Sequence, residues 1–587
     1  MTSYDDKGKI LRRLFSYAKP YRRYLIGALI SSMISVTLSL LIPIFIGMAI
    51  DNIVGPGEVN FNGVLRNIIY LAIFIGGSTM FQWIMSYCTN EITFLTVKDL
   101  RSRVFDKLNY VPLEKIDNTS HGNIINTMVN DIDTISDGLL QGFTQLFSGV
   151  MTILGTIGFM LSINLGIGLL VIMLTPLSLF VAAFISRRTY SKFTEQTMIR
   201  GEMGGLIEEL LGNQKIIKSF SYEDRSVGRF EEINSRLHEC GVRAQFYSSL
   251  TNPSTRFVNG IVYASVGILG AFSAIKGNIT VGQLSSFLSY ANQYTKPFNE
   301  ISGVITELQS ALASAKRVFA MIDIEPESSD EHLPSDIECD GRVKLSDVAF
   351  SYQKDIPLIE GLSLNVKPGS RIAIVGPTGS GKTTVINLLM RFYDVDKGNI
   401  EVSGVDINKM NRKTLRSMYG MVLQDTWLFE GTVWENIAYG SPEATKKDII
   451  RAAKSSYAHG FIKRLLNGYD TVITQGGGNI SQGQRQLLCI ARVMLIRPPM
   501  LILDEATSNI DTRTEIHIQK AFAKLMKGRT SFIVAHRLST IKKSDLILVM
   551  NQGRVIEQGS HEELLESKGF YHKLYNSQFG SGTVAKL

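Results

Sequence analysis

An apolar run, Ile372 to Val375, leads into Gly376, Pro377, Thr378, Gly379, Ser380, Gly381, Lys382, Thr383 and Thr384, and a helical apolar pattern follows through Val385, Ile386, Leu388 and Leu389. Glycines in such a loop let backbone N–H groups converge on phosphate oxygens, and a helix beginning at Lys382 adds its positive end. Lys382 supplies the cation for β- and γ-phosphates, and Thr383 a hydroxyl for Mg²⁺. A strand before and a helix after are the setting in which this spacing is a phosphate-binding loop rather than a plain turn. Further along, Met500 to Leu503 reads as a buried strand ending in Asp504 and Glu505. An acidic pair after a strand is, taken alone, an ordinary helix cap or surface turn. With the phosphate loop upstream, Asp504 is expected to hold Mg²⁺ and Glu505 to orient or deprotonate an attacking water. Together these residues describe a nucleoside triphosphatase without choosing its kind.

The elements that must position them begin at strand-like Val343 to Tyr352 and Leu358 to Val366. Ahead of these, Asp323 to Asp340 is acidic and polar, carries Pro326 and Pro334, and presents no helical face, which reads as a linker. The expected division is a domain over residues 1–322, a linker over 323–341 and a second domain over 342–587.

The first of these is a membrane domain. A mean hydropathy of +0.10 alongside 19% charged residues implies that apolar and polar segments are segregated along the 587 residues. Nearly every long uncharged run lies before about residue 306. Tyr24 to Ile50 contains no charge and exceeds the roughly 20 residues that span a bilayer as helix. Asn67 to Asn90 gives a second span, and Gly138 to Ser186 is long enough for two, joined by a turn near Asn164 and Gly166. Phe257 to Ile275, extended by Ala244 to Thr255, and Asn278 to Thr295, continuing past Lys296 toward Thr306, complete six. No Asp, Glu, Lys or Arg lies deep within these runs, which argues against a charge relay. The long inner segments Glu91 to Asp137 and Arg187 to Arg256 read as membrane helices prolonged beyond the bilayer.

Cations flank one side. Lys9, Arg12, Arg13, Lys19, Arg22 and Arg23 precede the first helix, Lys98, Arg101, Arg103 and Lys107 follow the second, and Arg187, Arg188, Lys192 and Arg200 follow the fourth. By the positive-inside rule both termini are expected in the cytosol, and the long first helix is an anchor rather than a cleaved signal. The net charge of +8 and pI of about 9.0 are accounted for by these flanks, with membrane lipid rather than nucleic acid as partner. Cys88, Cys240, Cys339 and Cys489 show no metal or redox spacing.

The segment Asn479, Ile480, Ser481, Gln482, Gly483, Gln484, Arg485 and Gln486 resembles the signature of ATP-binding cassette proteins, and residues 10 to 578 resemble half-size exporters of that family, of the bacterial multidrug and lipid type. The resemblance implies a membrane all-α six-helix exporter domain followed by an α/β P-loop nucleotide-binding domain, with ATP and Mg²⁺ as cofactors. It assigns Tyr352 to stacking on adenine, and Gln424 to sensing Mg²⁺ and coupling the two domains. Ser508, Asn509, Ile510 and Asp511 match a loop that crosses a dimer, and His536 a contact to the γ-phosphate. Ser481, Gly483 and Gln484 would close on ATP held by a partner's phosphate loop, so the chain is expected to pair with a second half-transporter. His121 to Asp131 and Phe220 to Asp224 fall where the family has its coupling helices.

Ile480 and Gln482 replace the usual Leu and first Gly of Leu-Ser-Gly-Gly-Gln, and Thr474 to Asn479 lacks the acidic residue common before the signature. This favours a heterodimer over a homodimer. The expected function is ATP-driven export of hydrophobic or amphipathic drugs, lipids or peptides across the plasma membrane by alternating access. The alternatives are an importer-type cassette transporter and an ATP-gated channel or regulator.

Overall fold

The structure, a computed structural model, describes residues 4–53, 59–353, 356–424, 426–504, 510–535 and 538–579. The chain divides into two compact units, Met1–Tyr110 with Thr119–Glu325, and Val111–Asn118 with Pro326–Leu587.

Unit one is helical. After α1 (Tyr4–Ala18), its long helices among the described residues are α2 (Arg22–Asp51), α3 (Phe61–Leu108), α4 (Ile132–Ile163), α5 (Leu165–Gly212), α6 (Glu223–Ile275) and α7 (Val281–Ile322). Four described segments are long and apolar enough to cross a membrane, namely Gly8–Asp51, Phe61–Leu108, His121–Ile163 and Glu223–Ile275, with Leu165–Leu177 a shorter apolar stretch. α2 packs on α3, α5 on α6, and α4 on α7. The turn expected near Asn164 is there because Asn164 caps α5, its side-chain oxygen accepting from the N–H groups of Gly166 at 3.0 Å and Ile167 at 3.1 Å. At the same end of the bundle Asp51 ties α2 to the start of α7, accepting from Thr280 Oγ1 at 2.7 Å and from Gly282 N–H at 2.7 Å. At the opposite end a second core gathers Leu14, Leu100, Val104, Ile132, Ile135, Val318 and Phe319. Asp131 is buried beside it, accepting from Ser314 Oγ at 2.9 Å and from Arg317 Nε at 2.8 Å, so its charge is both paired and hydrogen-bonded.

Both segments expected to couple the domains, His121–Asp131 and Phe220–Asp224, belong to unit one. His121–Asn126 and a π-turn at Thr127–Asp131 run on directly into α4. It is Val111–Asn118 that belongs to unit two, where Asp117 accepts a hydrogen bond from the hydroxyl of Tyr393. Pro112 sets this boundary: it cannot continue α3 and serves as N-cap of the short helix Leu113–Asp117. In the second inner segment the crossing helix is Gln214–Ser219, just ahead of Phe220–Asp224.

Unit two is α/β. Its strands in chain order are β1 (Val343–Phe350), β2 (Ile359–Val366), β3 (Arg371–Val375), β4 (Lys397–Val402), β5 (Val405–Asp406), β6 (Tyr419–Val422), β7 (Gly431–Thr432), β8 (Val472–Ile473), β9 (Met500–Asp504), β10 (Thr530–Val534), β11 (Leu546–Asn551) and β12 (Arg554–Gly559). One sheet runs β2-β1-β4-β5 and the larger one β12-β11-β3-β10-β9-β6, parallel from β11 to β6. β3, β9 and β10 are apolar on both faces because both are covered. One core, with Ile372, Leu388 and Phe532, fills the side toward the smaller sheet, and another, with Leu487, Leu503 and Phe522, fills the other side.

The stretch between α7 and β1 has no helix or strand, but from Pro326 onward it belongs to unit two and is not a free tether. Arg412 Nη1 donates to Asp330 Oδ1 at 2.7 Å, each side chain only 10% exposed, and Arg412 N–H donates to Asp330 Oδ2 at 3.0 Å. Asn411 and Thr414 bind the backbone oxygens of Asp330 and Ser335. Removing one partner of a buried pair leaves the other uncompensated, so Arg412→Ala is expected to destabilise this unit by about 3 kcal/mol. Limited proteolysis checks it: cleavage within residues 323–341 should become much faster than in the parent chain.

Candidate active site

The phosphate loop leaves β3 at Val375 and returns into helix Lys382–Leu389. Gly381 is the N-cap of that helix with φ of +95°, a left-handed geometry that a Cβ would strain. The Lys382 side chain folds over the loop, its Nζ donating to the carbonyl oxygens of Gly376 at 3.0 Å and Pro377 at 2.9 Å. Burial pulls its ammonium below the usual lysine range, against the attraction of Asp504. Ser380 Oγ is buried with no hydrogen-bond partner among the described residues. A half-dried cation, an unsatisfied hydroxyl and a glycine cradle at a helix start are what a polyphosphate would satisfy together. The donor set therefore fits ATP.

Asp504 ends β9, is 8% exposed and lies in register with Val534 of β10, which pairs with Ile374 of β3. The loop and the carboxylate thus share the C-terminal edge of one parallel sheet, where such folds bind ligands. Thr384 is buried in the loop helix, while the Thr383 side chain is exposed beside it. An exposed hydroxyl and a carboxylate are hard oxygen donors of the kind Mg²⁺ takes. Gln424, two residues beyond β6, is exposed. Tyr352 is 39% exposed, makes T-shaped ring contacts with Phe350 and Tyr393, each at 4.9 Å, and its hydroxyl accepts from Asn387 Nδ2 at 3.0 Å. Glu505 and His536, together with Ser508 and Asn509, lie outside the described residues.

The signature residues sit apart from this loop within the unit, at the start of helix Gln482–Ile496. Ser481 and Gln484 form a capping box: Ser481 Oγ accepts from Gln484 N–H at 3.3 Å, and Gln484 Oε1 from Ser481 N–H at 3.0 Å. Gly483 is buried, and a Cβ there would meet Thr514 Cγ2 at 2.5 Å. Both residues of the box and the glycine therefore have a structural duty beyond any ligand contact. Asp511 caps helix Thr512–Met526, accepting from Thr514 N–H at 2.9 Å, which holds its carboxyl below the ordinary range.

Arg492 is not legible in sequence as a functional residue. From the signature helix its Nε donates to Asn436 O at 2.9 Å and Nη1 to Trp427 O at 3.3 Å, and its guanidinium lies 4.9 Å from the centre of the Tyr439 ring. It fastens the segment following Gln424 to the helix that carries the signature. Arginines on amphipathic helices are commonplace, and these partners lie 56 and 65 residues away along the chain, so nothing near Arg492 signals the role.

Unit one holds a second concavity, of about 450 Å³, between α2, α3, α4 and α7. Ser32, Ser35, Gln82, Gln145 and Gln293 line it with polar groups, interleaved with apolar Val36, Leu40 and Met85. Lys296 also lines it. At ~1.5 Å per residue Lys296 is roughly 22 Å along α7 from Val281, immediately past the uncharged run that ends at Thr295. In sequence Lys296 looks like an interruption near the end of a run, because its neighbours across the bundle are not visible there.

Residues 25–298 match the family described as the ABC transporter transmembrane region, and residues 359–508 match the ABC transporter family. The chain is 41% identical over 521 residues, 88% of its length and 82% of the relative's, to a fatty acid ABC transporter ATP-binding/permease protein of Mycobacterium bovis. It belongs to the ABC transporter family. An ATP-dependent lipid A-core flippase of Syntrophus aciditrophicus is 33% identical, with 99% of this chain and 96% of the relative covered. A solved bacterial Atm1-family ABC exporter with ATP bound superposes with a TM-score of 0.80 at 28% identity, covering 96% of this chain and 99% of that one. This ABC transporter is thus of the half-size exporter type, a multi-pass membrane protein with an ATP-hydrolysing cassette.

Several caps of that cassette rest on ionised carboxylates. Glu435 and Glu563 accept from the N–H groups of Thr432 and Ser560, and these bonds, like that of Asp511, lower their carboxyl pKa. A depressed folded pKa contributes stability that is complete above the unfolded value, ordinarily about 4 for a carboxyl, and is lost as pH falls through the folded value. The cassette's unfolding temperature, followed by Trp427 and Trp434 fluorescence, should hold steady near neutrality and drop below about pH 4. A rise on acidification would contradict these assignments.

Proposed function

We propose that the chain is one half of an ATP-driven exporter that moves hydrophobic or amphipathic compounds out of the cytosol or inner leaflet of the plasma membrane by alternating access. The observation that carries this is the co-existence of a polyphosphate cradle at the sheet edge with a cavity lined by both neutral polar and apolar side chains inside the membrane unit. The names of relatives, a fatty acid transporter and a lipid flippase, support the substrate class. The cation flanks of the helices support cytosolic termini.

In this reading the loop amides from Gly376 to Thr384 and Lys382 bind the phosphates, and the part-exposed Tyr352 ring stacks on adenine. Thr383, Asp504 and Gln424 hold Mg²⁺, which supplies charge neutralisation at the phosphates. Glu505 takes the proton of the attacking water, and His536 orients the γ-phosphate. Ser481, Gly483 and Gln484, at a capped helix start, close on the partner's nucleotide, with Asp511 beside the crossing loop. Pairing brings two cassettes together, and a different partner chain is favoured because Gln482 alters only this chain's signature.

Steady ATP turnover of the reconstituted transporter tests the substrate class. Lipids and amphipathic drugs are expected to change it by several-fold. A response confined to small hydrophilic ions would reject the proposal.

A further inference from the structure

We infer that the cavity in unit one is a recognition site for an anionic head group carried on an acyl chain, and that Lys296 is the residue that selects the charge. The inference deepens the exporter reading above and rests on it. Among the described residues Lys296 is the one charged side chain on the wall, and no carboxylate accompanies it there. An uncompensated ammonium within the bilayer is costly and requires water or an anion as partner. Around it Gln82, Gln145 and Gln293 present amide donors, which suit the oxygens of a carboxylate or phosphate. Val36, Leu40 and Met85 provide the apolar surface a chain would lie on.

The depth of the site agrees with an inner-leaflet source. Asp51 and Thr280 mark one end of the bundle by their hydrogen bond, and α4 closes at that end at Asn164. At ~1.5 Å per residue, Ser39 and Ser32 are roughly 18 and 28 Å from Asp51, and Lys296 roughly 22 Å from Val281. In an apolar core about 30 Å thick the cavity therefore occupies the half nearer the cation-flanked ends of the helices. A head group drawn from that leaflet would meet Lys296 without crossing the bilayer centre.

The test compares ATP-dependent movement of palmitate, methyl palmitate, palmityl trimethylammonium and lysophosphatidate by the assembled transporter in vesicles, with this chain as parent, Lys296→Gln or Lys296→Arg. The parent should prefer the anions, and Lys296→Gln should reduce the preference for anion over cation by about tenfold, the loss of one charge-assisted hydrogen bond. Lys296→Arg should retain it, which separates charge recognition from misfolding. Palmitate alone responding would assign the head group as carboxylate, and lysophosphatidate alone as phosphate. Amphiphiles moved with no charge preference, or with a preference untouched by Lys296→Gln, would overturn this inference and leave the exporter reading standing. Movement of none of the four would overturn both.

Discussion

Replacing Lys382 by alanine is expected to weaken nucleotide binding at this chain's phosphate loop by roughly tenfold to a hundredfold, the equivalent of about 1.5–3 kcal/mol for a hydrogen bond to a charged group. The loop otherwise offers the phosphates neutral donors only, since Ser380, Thr383 and the glycine amides carry no net charge. Before nucleotide arrives, the ammonium rests on the carbonyls of Gly376 and Pro377 in a site whose burial disfavours its charge. Anionic phosphates reverse that disadvantage, so binding draws on a charge that folding does not favour. Alanine should accordingly leave the cassette's unfolding temperature nearly unchanged while binding collapses. Titration with a fluorescent nucleotide, counting the partner's site separately, measures the binding, and a thermal melt the stability. Undiminished occupancy at this site would remove Lys382 from the phosphate contacts.

Glu505→Gln is expected to reduce ATP turnover of the assembled transporter by about 10²-fold or more, the scale of general-base catalysis. Glutamine keeps the size and loses the base, so nucleotide should still bind. The magnitude depends on pairing. If the partner differs, this chain's loop with Asp504, Glu505 and His536 forms the working site against the partner's signature, and the irregular Gln482 burdens only the other site. One substitution then silences nearly all hydrolysis. Expression of this chain alone distinguishes the arrangements: a stable homodimer with vigorous, substrate-stimulated turnover would defeat the heterodimer.

The phosphate loop is legible in sequence because its glycines, lysine and flanking apolar runs are contiguous; the same holds for the turn at Asn164, which needs only a capping side chain and two free N–H groups. What cannot be read there depends on partners distant in sequence. Asp117 and Tyr393 meet across 276 residues, so no local signal assigns Val111–Asn118 to the second unit. Asp330 and Arg412, 82 residues apart, help make most of an acidic linker part of a domain. Lys296 looks like the ragged end of an apolar run until Gln82 and Gln145 share its cavity. At the signature the residues are legible and their local duty is not: a capping box explains Ser481 and Gln484 as helix-starting residues, and the tight contact with Thr514 explains Gly483 as packing.

ATP hydrolysis in the cassette is expected to drive outward movement of an amphiphile through the membrane unit. Inside-out vesicles holding the assembled transporter and a fluorescent acyl substrate test it most directly. Uptake into the lumen should require ATP, fall to background with Glu505→Gln in this chain, and run against an imposed substrate gradient. Equal rates with and without ATP, or movement that only ever follows the gradient while ATP opens the path, would contradict the account and mark the protein as a gated channel.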